Sequence, residues 1–97
     1  MQLEFHPEAE QEFLEAVSRY EKEVPGLGEQ MEAEIQVATN LLFQYPEIGT
    51  PVDAELRKLV LHRFPYYLVY SVVPDKLYIL ALAHERRKPG YWQKRSR

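Results

Sequence analysis

The chain contains a segment, residues 81–95, that is crowded with groups able to bind or move charge. It reads ALAHERRKPGYWQKR and carries an imidazole, a phenol, an indole and several cations. A cationic, aromatic surface of this kind can hold a phosphate backbone and stack a base. Metal-free RNA cleavage would need a group that takes the 2′-OH proton, cations for the charged phosphorane and an acid for the leaving oxygen. The candidates for that chemistry are Arg57, Arg63, His84, Arg87 and Tyr91.

A structural role for these residues is an equally strong interpretation of the sequence. Tyr91 and Trp92 can cap a hydrophobic core while the neighbouring cations are solvated. His84 falls at the end of an apolar run, and a histidine at the end of a strand is more often a hydrogen-bonded structural residue than a catalyst. Composition and spacing leave the two interpretations open.

Several other kinds of chemistry are poorly supported by the sequence. The chain has no cysteine, which excludes disulfides, thiolate zinc sites and cysteine nucleophiles. It has no HExxH motif, glycine-rich phosphate loop, GxSxG motif or cluster of carboxylates at metal-binding spacing. We therefore expect neither a cofactor nor a metal.

The two parts of the chain carry opposite charge, although the formal net charge is only −3. Through Glu55 there are 13 acidic and 2 basic residues, whereas from Leu56 onward there are 10 basic and 2 acidic residues. Such asymmetry favours a surface that meets an anionic partner, either nucleic acid or an acidic protein segment. The alternative is that the two parts neutralise each other inside the fold.

The first part of the chain has the pattern of a short strand followed by two helices. Residues 3–5 alternate apolar and polar side chains, and Pro7 suits the first position of a helix. Apolar residues then recur at helical spacing over 8–24 and again over 29–45. The turn Pro-Gly-Leu-Gly at 25–28 is short, so the helices are predicted to form an antiparallel hairpin.

The second part of the chain changes to a strand pattern after a predicted loop at 46–55. Three strands are predicted, over 56–64, 66–73 and 77–84. Their short connections favour an antiparallel meander that carries the helix pair on one face, an α+β fold. Simple alternation places His84 on the same sheet face as Tyr78, Leu80 and Leu82.

Length and composition predict a single domain over residues 1–97. Apolar residues make up 45% of the chain and charged residues 28%, which is ordinary globular composition. The N-terminal residues show no secretory signal, and the longest apolar region, 68–83, is interrupted by Pro74, Asp75 and Lys76. These features predict a cytoplasmic protein without a membrane segment.

The order strand, helix, helix and three strands, together with several motifs, resembles the RelE/ParE toxin superfamily. The resemblance covers nearly the whole chain and is closer to the ParE-type branch than to the RelE-type branch. It is carried by Pro25-Gly26-Leu27-Gly28, Arg57, Phe64-Pro65-Tyr66, Tyr70, His84, Arg87, Pro89, Tyr91, Trp92 and Arg95.

The resemblance implies the toxin of a type II toxin–antitoxin pair, neutralised by a cognate antitoxin with which it can form a hetero-oligomer. ParE-like members poison DNA gyrase, whereas RelE-like members cut mRNA on the ribosome with a basic, metal-free site. The leading hypothesis is a non-enzymatic gyrase inhibitor involved in growth inhibition or plasmid stabilisation. The alternatives are a ribosome-dependent mRNA endonuclease and a non-toxic binding module of the same fold.

Under the leading hypothesis, the residues that contact the target come from the basic part of the chain. They are Arg57, His84, Arg86, Arg87, Tyr91, Trp92 and Arg95.

Overall fold

Two helices pack on one face of a five-stranded sheet in the computed structural model, which describes residues 2–95. The predicted α+β class, with a helix pair between an N-terminal strand and a strand meander, is confirmed. No helix within the described range is long and apolar enough to cross a lipid bilayer. The elements in chain order are β1 (Gln2–Phe5), α1 (Pro7–Glu23), α2 (Leu27–Gln44), β2 (Thr50–Pro51), β3 (Arg57–Val60), β4 (Tyr66–Val73) and β5 (Lys76–His84).

The helical hairpin is defined by local interactions at its turn. Gly26 has a φ of 91°, the left-handed conformation that favours glycine. Glu21, on α1, accepts hydrogen bonds from the backbone N–H groups of Gly26 and Gly28, at 2.9 and 3.0 Å. A side chain of the first helix therefore caps the start of the second, where free N–H groups and the helix dipole both favour an anion.

The sheet has the strand order β1-β5-β4-β3-β2. The neighbours β3, β4 and β5 are antiparallel, as predicted, whereas β1 lies parallel to β5. The register of β1 runs from Gln2 opposite Lys76 to Phe5 opposite Ile79, and there the strand ends. From Leu80 onward the outer edge of β5 is therefore not covered by β1.

A bulge in β5 makes the simple alternation prediction wrong. Val69 pairs with Ala81 and Tyr70 pairs with Ile79, so Leu80 is an extra residue in β5. As a result Leu80 packs on the face away from the helices, whereas Leu82 packs on the helix face. His84 follows the parity of Leu82 and lies beside it, so it does not share a face with Leu80.

The first strand of the meander is shorter than predicted, and the loop before it contains the two-residue strand β2. Beyond Val60 the chain bends toward α2, where one Glu34 carboxylate oxygen accepts hydrogen bonds from the backbone N–H groups of His62 and Arg63. Their distances are 2.6 and 3.0 Å. Because a helix side chain satisfies these N–H groups, they do not continue the ladder and Arg63 lies outside the strand.

The sheet carries a hydrophobic core on each face. The helix-side core joins residues of both helices with Leu68, Tyr70 and Ile79. The opposite core is smaller and gathers Leu80 and its neighbours beneath Trp92, which is 3% exposed. The tail that follows β5 therefore serves as the cover of the second face.

Gly28 provides a test of the helix contact. A Cβ at Gly28 would lie 2.7 Å from the backbone oxygen of Val17 and 2.9 Å from the Cβ of Glu21. We predict that Gly28→Ala lowers the free energy of unfolding by about 1–3 kcal/mol through overpacking, more than offsetting the helix-propensity gain of up to about 1 kcal/mol. Urea unfolding followed by circular dichroism measures this. Gln36→Ala, at an exposed position of the same helix, should change stability by less than about 0.5 kcal/mol, and equal stabilities of the two variants would contradict the close contact.

Candidate functional site

Glu12 occupies the position where α1 faces the uncovered edge of β5. It lies three residues after Ala9 and four before Ala16, both buried, so it belongs to the inward face of the helix. Its Oε1 accepts a hydrogen bond from the backbone N–H of Leu82 at 3.0 Å. Arg95, from the tail, donates through Nη1 to the backbone oxygen of Leu80 at 2.9 Å. The two side chains thus satisfy the edge groups that a further strand would otherwise pair with.

Glu12 is also the centre of a cluster of tail side chains. Its Oε1 and Oε2 accept from Nη1 and Nη2 of Arg95 at 2.9 and 2.8 Å, a bidentate pair. Oε2 further accepts from the Tyr91 hydroxyl at 2.6 Å and from Arg87 Nη1 at 3.1 Å. The Arg87 guanidinium carbon lies 3.6 Å from the centroid of the Tyr91 ring. We call Glu12, Arg87, Tyr91 and Arg95 the Glu12 cluster.

The protonation states in the Glu12 cluster follow from these contacts. Burial by itself raises the pKa of Glu12, but the hydrogen bonds from Arg95, Tyr91 and the Leu82 N–H outweigh it, so the pKa lies below its ordinary value. Burial, together with the hydrogen bond to Glu12, raises the pKa of the Tyr91 hydroxyl well above its ordinary value. The hydrogen bond to Glu12 raises the pKa of Arg95 as well. At neutral pH the cluster is an ionised carboxylate held by two cations and a neutral phenol.

His84 and Arg86 lie at the border of the Glu12 cluster. Nδ1 of His84 accepts a hydrogen bond from the backbone N–H of Arg86 at 3.0 Å. The imidazole packs edge-on against Tyr66, 4.9 Å between ring centroids, and the Tyr66 hydroxyl accepts from Arg19 at 2.7 Å. A cavity of about 210 Å³ lies here, lined by Glu12, Glu15, Arg19, Tyr66, Leu82, His84, Arg87 and Tyr91.

The sequence candidates do not form a single site. His84, Arg87, Tyr91 and Arg95 come together at the Glu12 cluster, and Arg86 is adjacent in the chain. Trp92 covers the second core, packing against Tyr67 and Tyr91 with ring centroids 5.6 and 5.2 Å apart, and within residues 2–95 its indole N–H has no hydrogen-bond partner.

Two arginines of the candidate set lie elsewhere in the fold. Arg57, opposite Tyr70 in the β3–β4 ladder, donates to the backbone oxygens of Glu47 and Gly49. Arg63 donates to the side chain of Gln30 at the start of α2. Arg57 and His84 are far apart along β4, because Arg57 pairs with Tyr70 and His84 pairs with Tyr66 at the start of that strand.

Glu12 is the central residue of the cluster, and the sequence analysis does not include it among the candidates. One signal could have revealed it, since Glu12 falls on the same helical stripe as Ala9 and Ala16. An acid on an apolar stripe requires a buried partner. What the pattern could not indicate is that this partner is Arg95, 83 residues later.

The charge asymmetry is partly neutralised inside the fold. Each ion pair within 4.0 Å among residues 2–95 joins an acid of the first part of the chain to a base of the second part. In the same range, no group of three acidic or histidine residues is arranged to hold a metal ion. The basic part is therefore only partly neutralised, and the cations directly after β5, Arg86, Arg87 and Lys88, are exposed to an anionic partner.

Two glutamates that meet the same arginine allow a matched test of the Glu12 cluster. Glu12→Ala leaves the buried Arg95, 7% exposed, without its bidentate partner. We predict a loss of about 3–5 kcal/mol in the free energy of unfolding. Glu8 lies 3.6 Å from Arg95 but is 66% exposed, so Glu8→Ala should cost about 0–1 kcal/mol. Thermal and urea unfolding measure both, and similar losses would show that the buried pair is not the stabilising one.

The lowered pKa of Glu12 predicts a contribution to stability that is present at neutral pH and lost at acid pH. A carboxyl whose pKa is lower in the folded than in the unfolded chain stabilises the fold above its unfolded pKa, near 4.5, and loses that contribution as pH falls through the folded pKa. We therefore expect the free energy of unfolding to fall with acidification more steeply in the native chain than in Glu12→Gln. Urea titrations between neutral pH and pH 3 provide the measurement, and identical slopes in the two proteins would contradict the assignment.

Comparisons with known proteins support an assignment of the fold and the family. A comparison with curated protein sequences found no match. A solved structure described as the chromosomal ParDE TA system from P. aeruginosa is similar in fold, with a TM-score of 0.73, 19% identity, and coverage of 87% of this chain and 95% of that chain. The model of the family described as ParE toxin of type II toxin–antitoxin system, parDE, matches residues 3–89. The chain therefore belongs to the ParE toxin family of type II toxin–antitoxin systems.

Proposed function

We propose that this ParE-family chain is a toxin that acts by binding and inhibiting DNA gyrase in the cytoplasm and is neutralised by a cognate antitoxin. The family match over residues 3–89 is the observation that carries the proposal. The similar structure from P. aeruginosa is described as a ParDE system, which supports a protein partner for this chain as well. The details of the Glu12 cluster favour inhibition by binding over inhibition by RNA cleavage.

The geometry offers little support for a metal-free nuclease. The Tyr91 hydroxyl is committed to Glu12, and its raised pKa makes it a poor proton donor or acceptor near neutral pH. Arg95 is buried against the same carboxylate, so its charge is already compensated. Arg57 and Arg63 lie in other parts of the fold. A phosphate in the 210 Å³ cavity would also face two carboxylates, those of Glu12 and Glu15.

The surface that we assign to target binding consists of the exposed cations that follow β5. Arg86 is exposed, and the side chain of Arg87 is 54% exposed although one of its nitrogens contacts Glu12. Beneath them, Tyr91 and Trp92 anchor the tail to the sheet and Arg95 anchors it to α1. We therefore divide the seven target-binding candidates by role. His84, Arg86 and Arg87 contact the partner, Tyr91, Trp92 and Arg95 hold the tail in place, and Arg57 belongs to a separate surface.

A supercoiling assay with purified gyrase tests the proposal. We expect the purified toxin to inhibit supercoiling or to stabilise cleaved DNA, and expression in a bacterial host to arrest growth unless the cognate antitoxin is co-expressed. Unaffected gyrase at any ratio, combined with codon-positioned cuts in a translating mRNA, would instead support a ribosome-dependent nuclease. Unchanged growth would indicate a non-toxic binding module.

The division of roles predicts different effects for two exposed cations of the tail. Arg86→Ala removes a charge that we place in the target interface, so it should weaken gyrase inhibition about 5- to 30-fold, the range for a contact of 1–2 kcal/mol. Lys94→Ala removes a charge that is also exposed but lies outside the proposed interface, and it should leave inhibition unchanged. Dose–response curves measure both, with unfolding curves as a control for stability. Equal effects would mean that only the overall charge of the tail matters.

A further inference from the structure

A second surface, distant from the Glu12 cluster, has the features of a peptide-binding cleft. A cleft of about 950 Å³ opens between the end of α2, the loop at 46–49 and the ends of β3 and β4. It contains the paired residues Arg57 and Tyr70 and therefore lies away from the end of β4 where Tyr66 pairs with His84. We call it the Arg57 cleft; its lining is Gln44, Tyr45, Pro46, Glu47, Ile48, Ala54, Glu55, Arg57, Tyr70, Ser71 and Val72.

The rim of the Arg57 cleft displays large apolar side chains to solvent. Tyr45 is 59% exposed, Ile48 50% and Val72 43%. Single exposed apolar residues are common, but three around one concave surface are typical of a site that another apolar surface covers. A partner that buries these side chains gains hydrophobic free energy that the free toxin lacks.

Arg57 is held rigidly in this cleft. Its Nη1 donates to the backbone oxygens of Glu47 and Gly49, at 2.9 and 2.8 Å. Within residues 2–95 the N–H groups on Nε and Nη2 have no hydrogen-bond partner. A guanidinium that is positioned by backbone contacts and keeps two donor groups unused is suited to bind a carboxylate.

The loop that carries the apolar rim is fixed from below. The hydroxyl of Tyr70, a fully buried residue, accepts from the N–H of Gly49 at 3.0 Å and donates to the oxygen of Pro46 at 2.7 Å. The packing at Gly49 is so close that a Cβ there would lie 2.7 Å from the backbone oxygen of Lys58. A site ordered before binding loses less conformational entropy when its partner arrives.

The remaining charges of the Arg57 cleft restrict what can occupy it. Glu47 and Glu55, two acidic residues, are part of the lining. They would repel a phosphate backbone or a strongly acidic segment, because either would bring several negative charges close to them. A largely apolar peptide meets much less repulsion, because it brings a single negative charge and Arg57 can neutralise it.

We propose that the Arg57 cleft binds an apolar peptide segment of a protein partner and that one carboxylate of the segment pairs with Arg57. The inference rests on the proposed function, because that function supplies a protein partner for the chain. The carboxylate belongs either to an acidic side chain or to the C-terminus of the segment. In both cases the apolar side chains of the segment pack against Tyr45, Ile48 and Val72.

Model peptides test this without requiring gyrase or an antitoxin. Three pentapeptides serve as probes. The first is Leu-Ile-Glu-Leu-Leu, acetylated and amidated at its ends. The second has Gln in place of Glu and is neutral, and the third is the Gln peptide with a free C-terminal carboxylate. They are titrated into the ¹⁵N-labelled full chain, and the backbone N–H of Gly49 and the Nε–H of Arg57 are followed by NMR. We expect the Glu peptide, or the peptide with the free C-terminus, to bind about tenfold more tightly than the neutral one, as a charged hydrogen-bonded pair implies. Whichever is tighter identifies the source of the carboxylate.

Matched variants locate the binding surface. Arg57→Lys should remove most of the preference for the charged peptides, because lysine cannot form the bidentate pair. Val72→Thr, at the rim, should weaken all three peptides several-fold, whereas Val60→Thr, an exposed strand valine outside the cleft, should not. Equal binding of charged and neutral peptides, signals that do not move at millimolar peptide, or equal effects of the two valine variants would overturn the inference. Charge-selective binding by a chain that does not inhibit growth would leave the cleft assignment intact and contradict only the proposed function.

Discussion

The fold depends on how the open edge of β5 is closed. The parallel strand β1 ends opposite Ile79, and beyond it the backbone groups of Leu80 and Leu82 would face outward without a strand. Glu12 accepts a hydrogen bond from the Leu82 N–H, and Arg95 donates one to the Leu80 oxygen. The two side chains also neutralise each other's charge. The arrangement is stable only as a unit, because a carboxylate or a guanidinium left alone at this depth would carry an uncompensated charge.

This closure also fixes the tail, and with it both faces of the sheet. The chain crosses from the second core, where Trp92 lies, to α1 on the helix side, where Arg95 ends against Glu12. Tyr91 links the two, because its hydroxyl donates to Glu12 and its ring packs against Trp92. The phenol of Tyr91, one of the catalytic candidates of the sequence analysis, is therefore engaged in holding the tail. The Arg95 guanidinium holds the tail in the same way, through its bidentate pair with Glu12.

Two exposed regions of the molecule differ in character. The cations after β5 form a polar surface, whereas the Arg57 cleft is apolar and carries one oriented cation. The two regions lie at opposite ends of β4, so two partner segments can reach the toxin without occupying the same place. Under the proposed function, which gives the chain both a target and an antitoxin as partners, the two surfaces offer separate places for them.

The sequence by itself determined both helices, most of the strands and the family resemblance, because helical spacing, strand composition and turn residues are local signals. The hairpin turn at 25–28 and the strand at 66–73 are examples, and the α+β class followed from their order. Only the tertiary structure decided the bulge at Leu80, the parallel placement of β1 and the partners of Glu12 and Arg57. The physical reason is that a side chain's role depends on what it meets across the fold. Whether an arginine binds a partner or braces the chain is set by contacts between residues far apart in sequence, which periodicity does not record.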